Sequence, residues 1–334
     1  MIKKCCLGFL IPSTVFIFCL VCVFTALIFR ALSPASACQQ SDESSPQPGT
    51  LARMIPSGGL ERCYLLYIPP DYDSSQPIPI VISFHGFASS PGGHADITRW
   101  NEIADTQNFV VVYPQGTGFP LRWDSFQSAW WSSVDDIAFT RDLITDLKDI
   151  LPVDQSRIYI SGFSNGGAMT HNLACELSDT VAAVGIISAP VTDPLGGCHP
   201  SRPVPVMAFH GTDDLIVNYD GTNLENTFLN PLSSREIDTF SYLPVNVWTE
   251  RWAQRNQCDP VAESLSLQGN ANGIRFTDCT NNADVIFYTL IGSGHTWPGG
   301  GPLPGWLVGE ISTDINASAE LWSFFSNHPL PGSQ

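Results

Sequence analysis

The sequence predicts an α/β layer fold with a mostly parallel central sheet and helices on both faces. Three observations predict it. Apolar runs of strand length recur along the chain, and several, such as VVVY and VGII, are continuous rather than alternating, which suits strands buried on both faces. Segments with helical periodicity fall between those runs, and alternating strands and helices imply right-handed crossovers in one layered sheet. The 334 residues suffice for one large domain or two smaller ones, and no internal repeat or second domain boundary is visible.

Taken in order, the chain opens on Lys3 and Lys4 and then runs uncharged from Cys5 to Phe29, ending at Arg30. That run exceeds the roughly 7–15 residues of a signal-peptide core and reaches the ~20 that span a bilayer. The two lysines favour a cytoplasmic N-terminus and an exported remainder. Ala35-Ser36-Ala37 reads as a small-x-small cleavage site, so residues 1–37 are a cleaved signal or an uncleaved membrane anchor, with a lipidated Cys38 as a third reading. Residues 38–57 read as an exposed linker, polar and Pro/Ser-rich over 39–50, and 58–334 as the main folded domain. Candidate strands cover 64–68, 80–84, 109–113, 157–160, 184–188, 206–209 and 285–291. Candidate helices cover 137–150, 165–177, 245–255 and 314–325. In the first of these helices Ile137, Phe139, Leu143, Ile144, Leu147 and Ile150 fall largely on one face. Residues 221–283 are rich in Asn, Ser and Thr outside the Trp-bearing helix, and read as an excursion from the sheet.

Composition removes several classes of function. Apolar residues make up 43% of the chain, too many for a disordered protein. There are 15 basic against 32 acidic residues, a formal net charge of −17, and beyond residue 37 Lys148 is the only lysine. Nucleic acid is therefore excluded as a partner, since its binding needs cations to displace counterions from phosphate. Outside the apolar leader six cysteines remain: Cys38, Cys63, Cys175, Cys198, Cys258 and Cys279. An even number in an exported chain suggests disulfides, and pairing neighbours is the simplest of the fifteen connectivities. There is no CxxC or HExxH, so no metal site is expected.

The strand at 157–160 runs into Gly162-Phe163-Ser164-Asn165-Gly166, a G-x-S-x-G between strand and helix. This is the context of a nucleophile elbow, in which a strained turn lifts a serine hydroxyl off the sheet edge while the helix N-terminus faces a developing oxyanion. The motif alone is weak, and a Gly-rich turn is its bland reading. Its partners stand in the right order. His210-Gly211-Thr212-Asp213-Asp214 follows the strand at 206–209, and His295 follows the strand at 285–291. Ser164, Asp214 and His295 thus form the Ser…acid…His order of α/β-hydrolases: a hydroxyl needs an imidazole to take its proton, and the imidazole needs a carboxylate to fix its tautomer. Asp213 competes with Asp214 for the acid role. The backbone N–H groups of Phe87, after His85-Gly86, and of Asn165 are the expected oxyanion hole, with His85 itself a structural side chain.

The chain resembles the exported esterase family that groups polyhydroxybutyrate depolymerases with feruloyl and acetylxylan esterases. The resemblance covers roughly residues 58–327 and rests on SFHGFASS, FVVVYPQGTG, VDDIAF, YISGFSNGGAMT, FHGTDD and GSGHTWPGG. It implies an α/β-hydrolase fold, with Ser164 as nucleophile, Asp214 as acid and His295 as base, acting through an acyl-enzyme without a cofactor. It also implies Cys175–Cys198 and Cys258–Cys279 disulfides; Cys38–Cys63 is the remaining pair. Phe87 stands where many polyester depolymerases have Cys, which favours feruloyl or acetyl esters of plant polysaccharide over hydroxybutyrate polymers. Acyl transfer to an alcohol and amide hydrolysis run through the same constellation and remain alternatives. The expected partner is an ester substrate, polymeric or small, outside the cell, with membrane contact only through residues 1–37. Trp297, two residues from His295, is expected to touch substrate, while Trp123, Trp130 and Trp131 fit either a site or loop packing. Asp135 and Asp136 read as a helix N-cap.

Overall fold

The computed structural model describes residues 46–125, 134–192, 197–222, 241–265, 269–301 and 303–332. Ten strands form one sheet: β1 Gly49–Ser57, β2 Leu60–Ile68, β3 Ile78–Phe84, β4 Val110–Pro114, β5 Val153–Phe163, β6 Ala183–Ile187, β7 Val206–Gly211, β8 Glu263–Leu265, β9 Ala271–Phe276 and β10 Val285–Leu290. Their order is β1-β2-β4-β3-β5-β6-β7-β10-β9-β8. The six central strands, β4 through β10 in that order, are parallel, and antiparallel pairs close both ends.

The helices are α1 Pro91–Thr98, α2 Trp100–Gln107, α3 Asp136–Ile150, α4 Asn165–Glu176, α5 Val245–Arg255, α6 Gly305–Val308 and α7 Ala317–Ser326. They sort onto two faces because successive strand residues point to opposite sides. Ile80, Ile82 and Phe84 pack with Phe139 and Leu143 of α3, Met169 and Leu173 of α4, and Trp248 and Trp252 of α5. Val81 and Tyr159, one position out of phase, pack with Trp100 of α2 and with Leu321 and Phe325 of α7. Continuous apolar runs are therefore what strands covered on both sides require.

Two expectations are corrected. Residues 49–57 are not linker: they form β1, paired antiparallel along the whole of β2, with Leu51 and Ile55 in the core. Residues 221–283 are not wholly an excursion, because β8 and β9 extend the sheet beyond β10. Residues 1–37 and Cys38 lie outside the described residues. Among the described residues, no helix is long and apolar enough to cross a membrane.

Disulfides join Cys175 to Cys198 and Cys258 to Cys279. Cys63 is disulfide-bonded as well, and the partner expected for it, Cys38, lies outside the described residues. Asp135 caps α3 by accepting from Ala138 N–H at 2.8 Å. Asp136 does something else. It is buried and pairs with Arg62 at 2.7 Å, Arg62 lies over the Phe139 ring, and the second Asp136 oxygen accepts from Asp124 N–H at 2.7 Å. Burial raises the Asp136 carboxyl and lowers the Arg62 guanidinium, each opposed by the charge of the other.

Candidate active site

The elbow is where chain geometry is most constrained. Ser164 joins β5 to α4 with φ 56° and ψ −121°, a conformation that side-chain-bearing residues adopt only when their surroundings impose it. The surroundings here are backbone. Ser164 N–H donates to Ile187 O at 2.9 Å, and Ser164 O accepts from Ala168 N–H at 3.0 Å. A Cβ on Gly162 would stand 2.2 Å from Gly166 O, and one on Gly166 would stand 2.2 Å from Phe84 O and 2.5 Å from His85 O. Only glycine at both positions lets α4 approach β5 and the end of β3 this closely. Ser164 itself is half-buried.

The acid and the imidazole meet across two neighbouring strand ends. Asp214, past the end of β7, accepts from His295 Nδ1 at 2.7 Å. The other Asp214 oxygen accepts from Ile216 N–H at 2.9 Å and Val217 N–H at 2.7 Å, which fixes the carboxylate plane. His210 lies behind it, 3.4 Å from Oδ2, with Nε2–H donating to Val217 O at 2.8 Å; burial holds this imidazole below its ordinary range, partly offset by Asp214. A carboxylate only accepts, so His295 carries its proton on Nδ1 and presents the Nε2 lone pair. Asp213 is exposed and takes a bond from Thr212 Oγ1 at 3.0 Å, so of the two candidates Asp214 faces the imidazole.

Backbone bonds stitch these loops together. Asp213 N–H donates to Ser293 O at 3.0 Å, Gly294 N–H to Glu310 O at 2.9 Å, and His295 N–H to Val308 O at the end of α6 at 2.6 Å. The His295 ring lies 4.9 Å, centroid to centroid, from Phe163, the residue before Ser164. Three strand ends thus converge on one edge of the sheet.

On the opposite side of Ser164, a Cβ on Gly86 would lie 3.3 Å from Ser164 Cβ, so the loop after β3 runs against the elbow. Phe87 follows with 47% of its surface exposed. Asn165, the first residue of α4, has no intrahelical acceptor for its N–H. Its side chain accepts from Trp123 N–H at 2.8 Å and donates to Trp123 O at 3.2 Å and Ser125 Oγ at 2.7 Å. Sequence reasoning missed this clamp and the Arg62–Asp136 pair. Both link positions some 40 to 74 residues apart, which no local pattern reports.

Trp297 does not line the site, and the substrate contact expected of it is corrected. The indole is 1% exposed, donates to Ser318 Oγ at 3.1 Å, and meets the His94 ring edge-on at 5.8 Å. Thr296 N–H turns back onto Gly294 O at 2.9 Å, and the next side chain drops into the layer beneath α1 and α7. Trp123 is buried too, its indole N–H on His85 O at 2.9 Å; Trp130 and Trp131 lie outside the described residues. Among the described residues, one cluster has metal-ligand proximity, His171 with Cys175 and Cys198, and both of its sulfurs are tied up in the disulfide.

The sheet order and the strand–elbow–helix connection define the α/β-hydrolase fold. Residues 62–208 match the family described as Esterase PHB depolymerase. The bifunctional acetylxylan esterase/xylanase XynS20E of Neocallimastix patriciarum is 33% identical over 141 residues, 42% of this chain and 20% of that protein. Feruloyl esterase B of Piromyces equi is 27% identical over 237 residues, 70% of this chain and 42% of that one. The chain thus spans less than half the length of these two relatives. Among solved structures, an acetyl xylan esterase from Aspergillus awamori superposes with a TM-score of 0.56 at 14% identity, covering 82% of this chain and 98% of that one, a likeness of fold.

Proposed function

We propose that the chain is an exported serine esterase in which Ser164, His295 and Asp214 cleave carboxylic esters through an acyl-enzyme. One observation carries the reading: a serine held at φ 56° on the sheet edge where a buried Asp214–His295 pair at 2.7 Å presents a free Nε2. Nε2 takes the hydroxyl proton as Oγ attacks the ester carbonyl carbon, and the carbonyl oxygen becomes an oxyanion received by the N–H groups of Phe87 and Asn165. The intermediate collapses, Nε2 passes its proton to the departing alcohol oxygen, and the acyl group stays on Ser164. Water, deprotonated by His295, then attacks the acyl carbon, and the acid leaves with Ser164 restored.

Feruloyl and acetyl esters of plant polysaccharide are the substrates favoured, on the names of the relatives and on Phe87 beside the elbow. Short hydroxyalkanoate esters are the second reading, favoured by the family's description. Disulfides support work outside the cytoplasm, with residues 1–37 as the export segment. The test is turnover of methyl ferulate, acetylated xylan and hydroxybutyrate oligomers by the purified chain and its Ser164→Ala variant. The substitution is expected to remove at least ~10³-fold of activity on whichever ester is preferred. Unchanged hydrolysis by the variant overturns the proposal.

A further inference from the structure

Among the described residues every tryptophan but one is buried. The exception is Trp306, 87% exposed in the short helix α6. An indole left in water forgoes the burial that stabilises its counterparts, and exposed indoles are typical of contact surfaces. α6 is no loose appendage. Leu307 N–H and Val308 N–H both donate to Pro304 O, at 2.8 and 3.1 Å, and Gly309 N–H closes the turn on Gly305 O at 2.8 Å. The helix is seated on the base loop by the His295 N–H bond to Val308 O, and a Cβ on Gly294 would stand 2.0 Å from that same oxygen. The acid loop adjoins it, with Asp213 O 4.0 Å from the Cβ position of Gly309. Leu215, also 87% exposed, follows Asp214 on that loop.

Proton transfer fixes which half of an ester this surface meets. The ester oxygen that becomes the oxyanion turns toward Phe87 N–H and Asn165 N–H. The alcohol oxygen must come within hydrogen-bond reach of His295 Nε2, which protonates it as it leaves. The alcohol half therefore extends over the base and acid loops, where α6 is seated. Asp213 and Glu310, beside α6 on those two loops, are exposed carboxylates. An indole face attracts the weakly positive C–H groups of a sugar ring, and carboxylates beside it accept from hydroxyls. A lipid chain or a polyester offers those carboxylates no donor and would only desolvate them. We propose that Trp306 is a specificity-determining residue: its indole stacks on the sugar ring that forms the alcohol half of the substrate. The proposal rests on the serine-esterase reading and adds to it which half of the ester is read, and by which side chain.

Two esters with one acyl group and different alcohols isolate the contact: methyl ferulate and a feruloylated methyl arabinoside. Ethyl acetate and an acetylated methyl xyloside form the matching pair if acetyl is the faster acyl group. Trp306→Ala is expected to raise KM for the sugar ester about tenfold with kcat within about twofold, the signature of a contact made alike in ground and transition states. On the simple ester its kinetics should match the parent, and its melting midpoint should hold because the side chain is exposed. Trp306→Tyr keeps an aromatic face and should recover KM for the sugar ester to within about threefold of the parent. Val261→Ala removes an exposed apolar side chain before β8 and should leave both esters unchanged. Equal rises in KM for the two esters would set the indole against the acyl group and overturn the proposal. A parent-like KM for the sugar ester in Trp306→Ala, or Tyr no better than Ala, overturns it as well. Ser164→Ala assayed alongside separates the outcomes, because its turnover of the simple ester tests the serine mechanism whatever Trp306 does.

Discussion

Replacing Asp214 by Asn exchanges one carboxylate oxygen for an NH2 group, and the surrounding hydrogen bonds decide which one. Oδ1 is held by two backbone donors, Ile216 N–H at 2.9 Å and Val217 N–H at 2.7 Å, so the amide oxygen must remain there. The NH2 group then occupies the place of Oδ2, 2.7 Å from His295 Nδ1. An amide N–H donates, so His295 must turn Nδ1 into an acceptor and move its proton to Nε2, the atom that should receive the Ser164 proton. The productive tautomer would instead bring two donors face to face in a buried site, at about 1–3 kcal/mol for each donor left unmatched, and it would forgo a charge-assisted bond of about 1.5–3 kcal/mol. Together these come to about 5 kcal/mol, or ~10⁴ in kcat. Both backbone donors keep an acceptor, so the melting midpoint should move little. The assay is steady-state kcat on methyl ferulate, with thermal unfolding as control and Asp213→Asn as comparison. Retention of kcat within tenfold by Asp214→Asn, or an equal loss in the exposed Asp213→Asn, would refute the tautomer argument.

The remaining predictions concern stability as well as rate. Trp297→Ala empties a buried indole site and leaves Ser318 Oγ only its bond to Thr98 O, so denaturant titration should show a loss of about 3–5 kcal/mol with KM for methyl ferulate unchanged; a raised KM with stability intact would restore a substrate contact. Gly166→Ala brings a Cβ to 2.2 Å from Phe84 O, where only backbone movement relieves the clash, so the melting midpoint should fall by an amount equivalent to about 3 kcal/mol or more, and a parent-like midpoint contradicts the packing argument. His85, pushed down to about 4, and His94, His210 and His328, also lowered chiefly by burial, are neutral in the fold but titrate near 6.5 when unfolded. The unfolded chain therefore binds more protons below about pH 6.5, and stability present above that value is lost as pH falls toward 4, His85 alone supplying about 3 kcal/mol. Urea midpoints at pH 7.5 and 5 measure this, and greater stability at pH 5 would reverse the sign.

What the sequence discloses depends on how far apart the interacting residues lie. Strands β3, β4 and β7 are legible because each is a continuous apolar run, and the residues that follow such runs must emerge at the same edge of a parallel sheet. That is why Ser164, Asp214 and His295 can be named together before any distance is known, and why Asp214 and His295 are found in contact although 81 residues separate them. β1 is hidden by the opposite circumstance: its buried Leu51 and Ile55 are spaced by residues of mixed exposure, with Pro56 near its end, so no period-two pattern announces it. α1 is hidden by two glycines in its first turns, which helical propensity disfavours and the Ser90 cap with Pro91 makes good. Trp297 and Asp136 show the limit in reverse. Adjacency to His295 suggested a site for Trp297, but one tight turn sends it into the core. The acidic pair 135–136 suggested one shared role, but Arg62, 74 residues away, draws Asp136 inward and leaves the cap to Asp135. Position along a strand thus reports which edge a residue reaches. Which way its side chain then turns is decided by partners distant in sequence, as Gly116 and Trp123 decide it for the His85 ring.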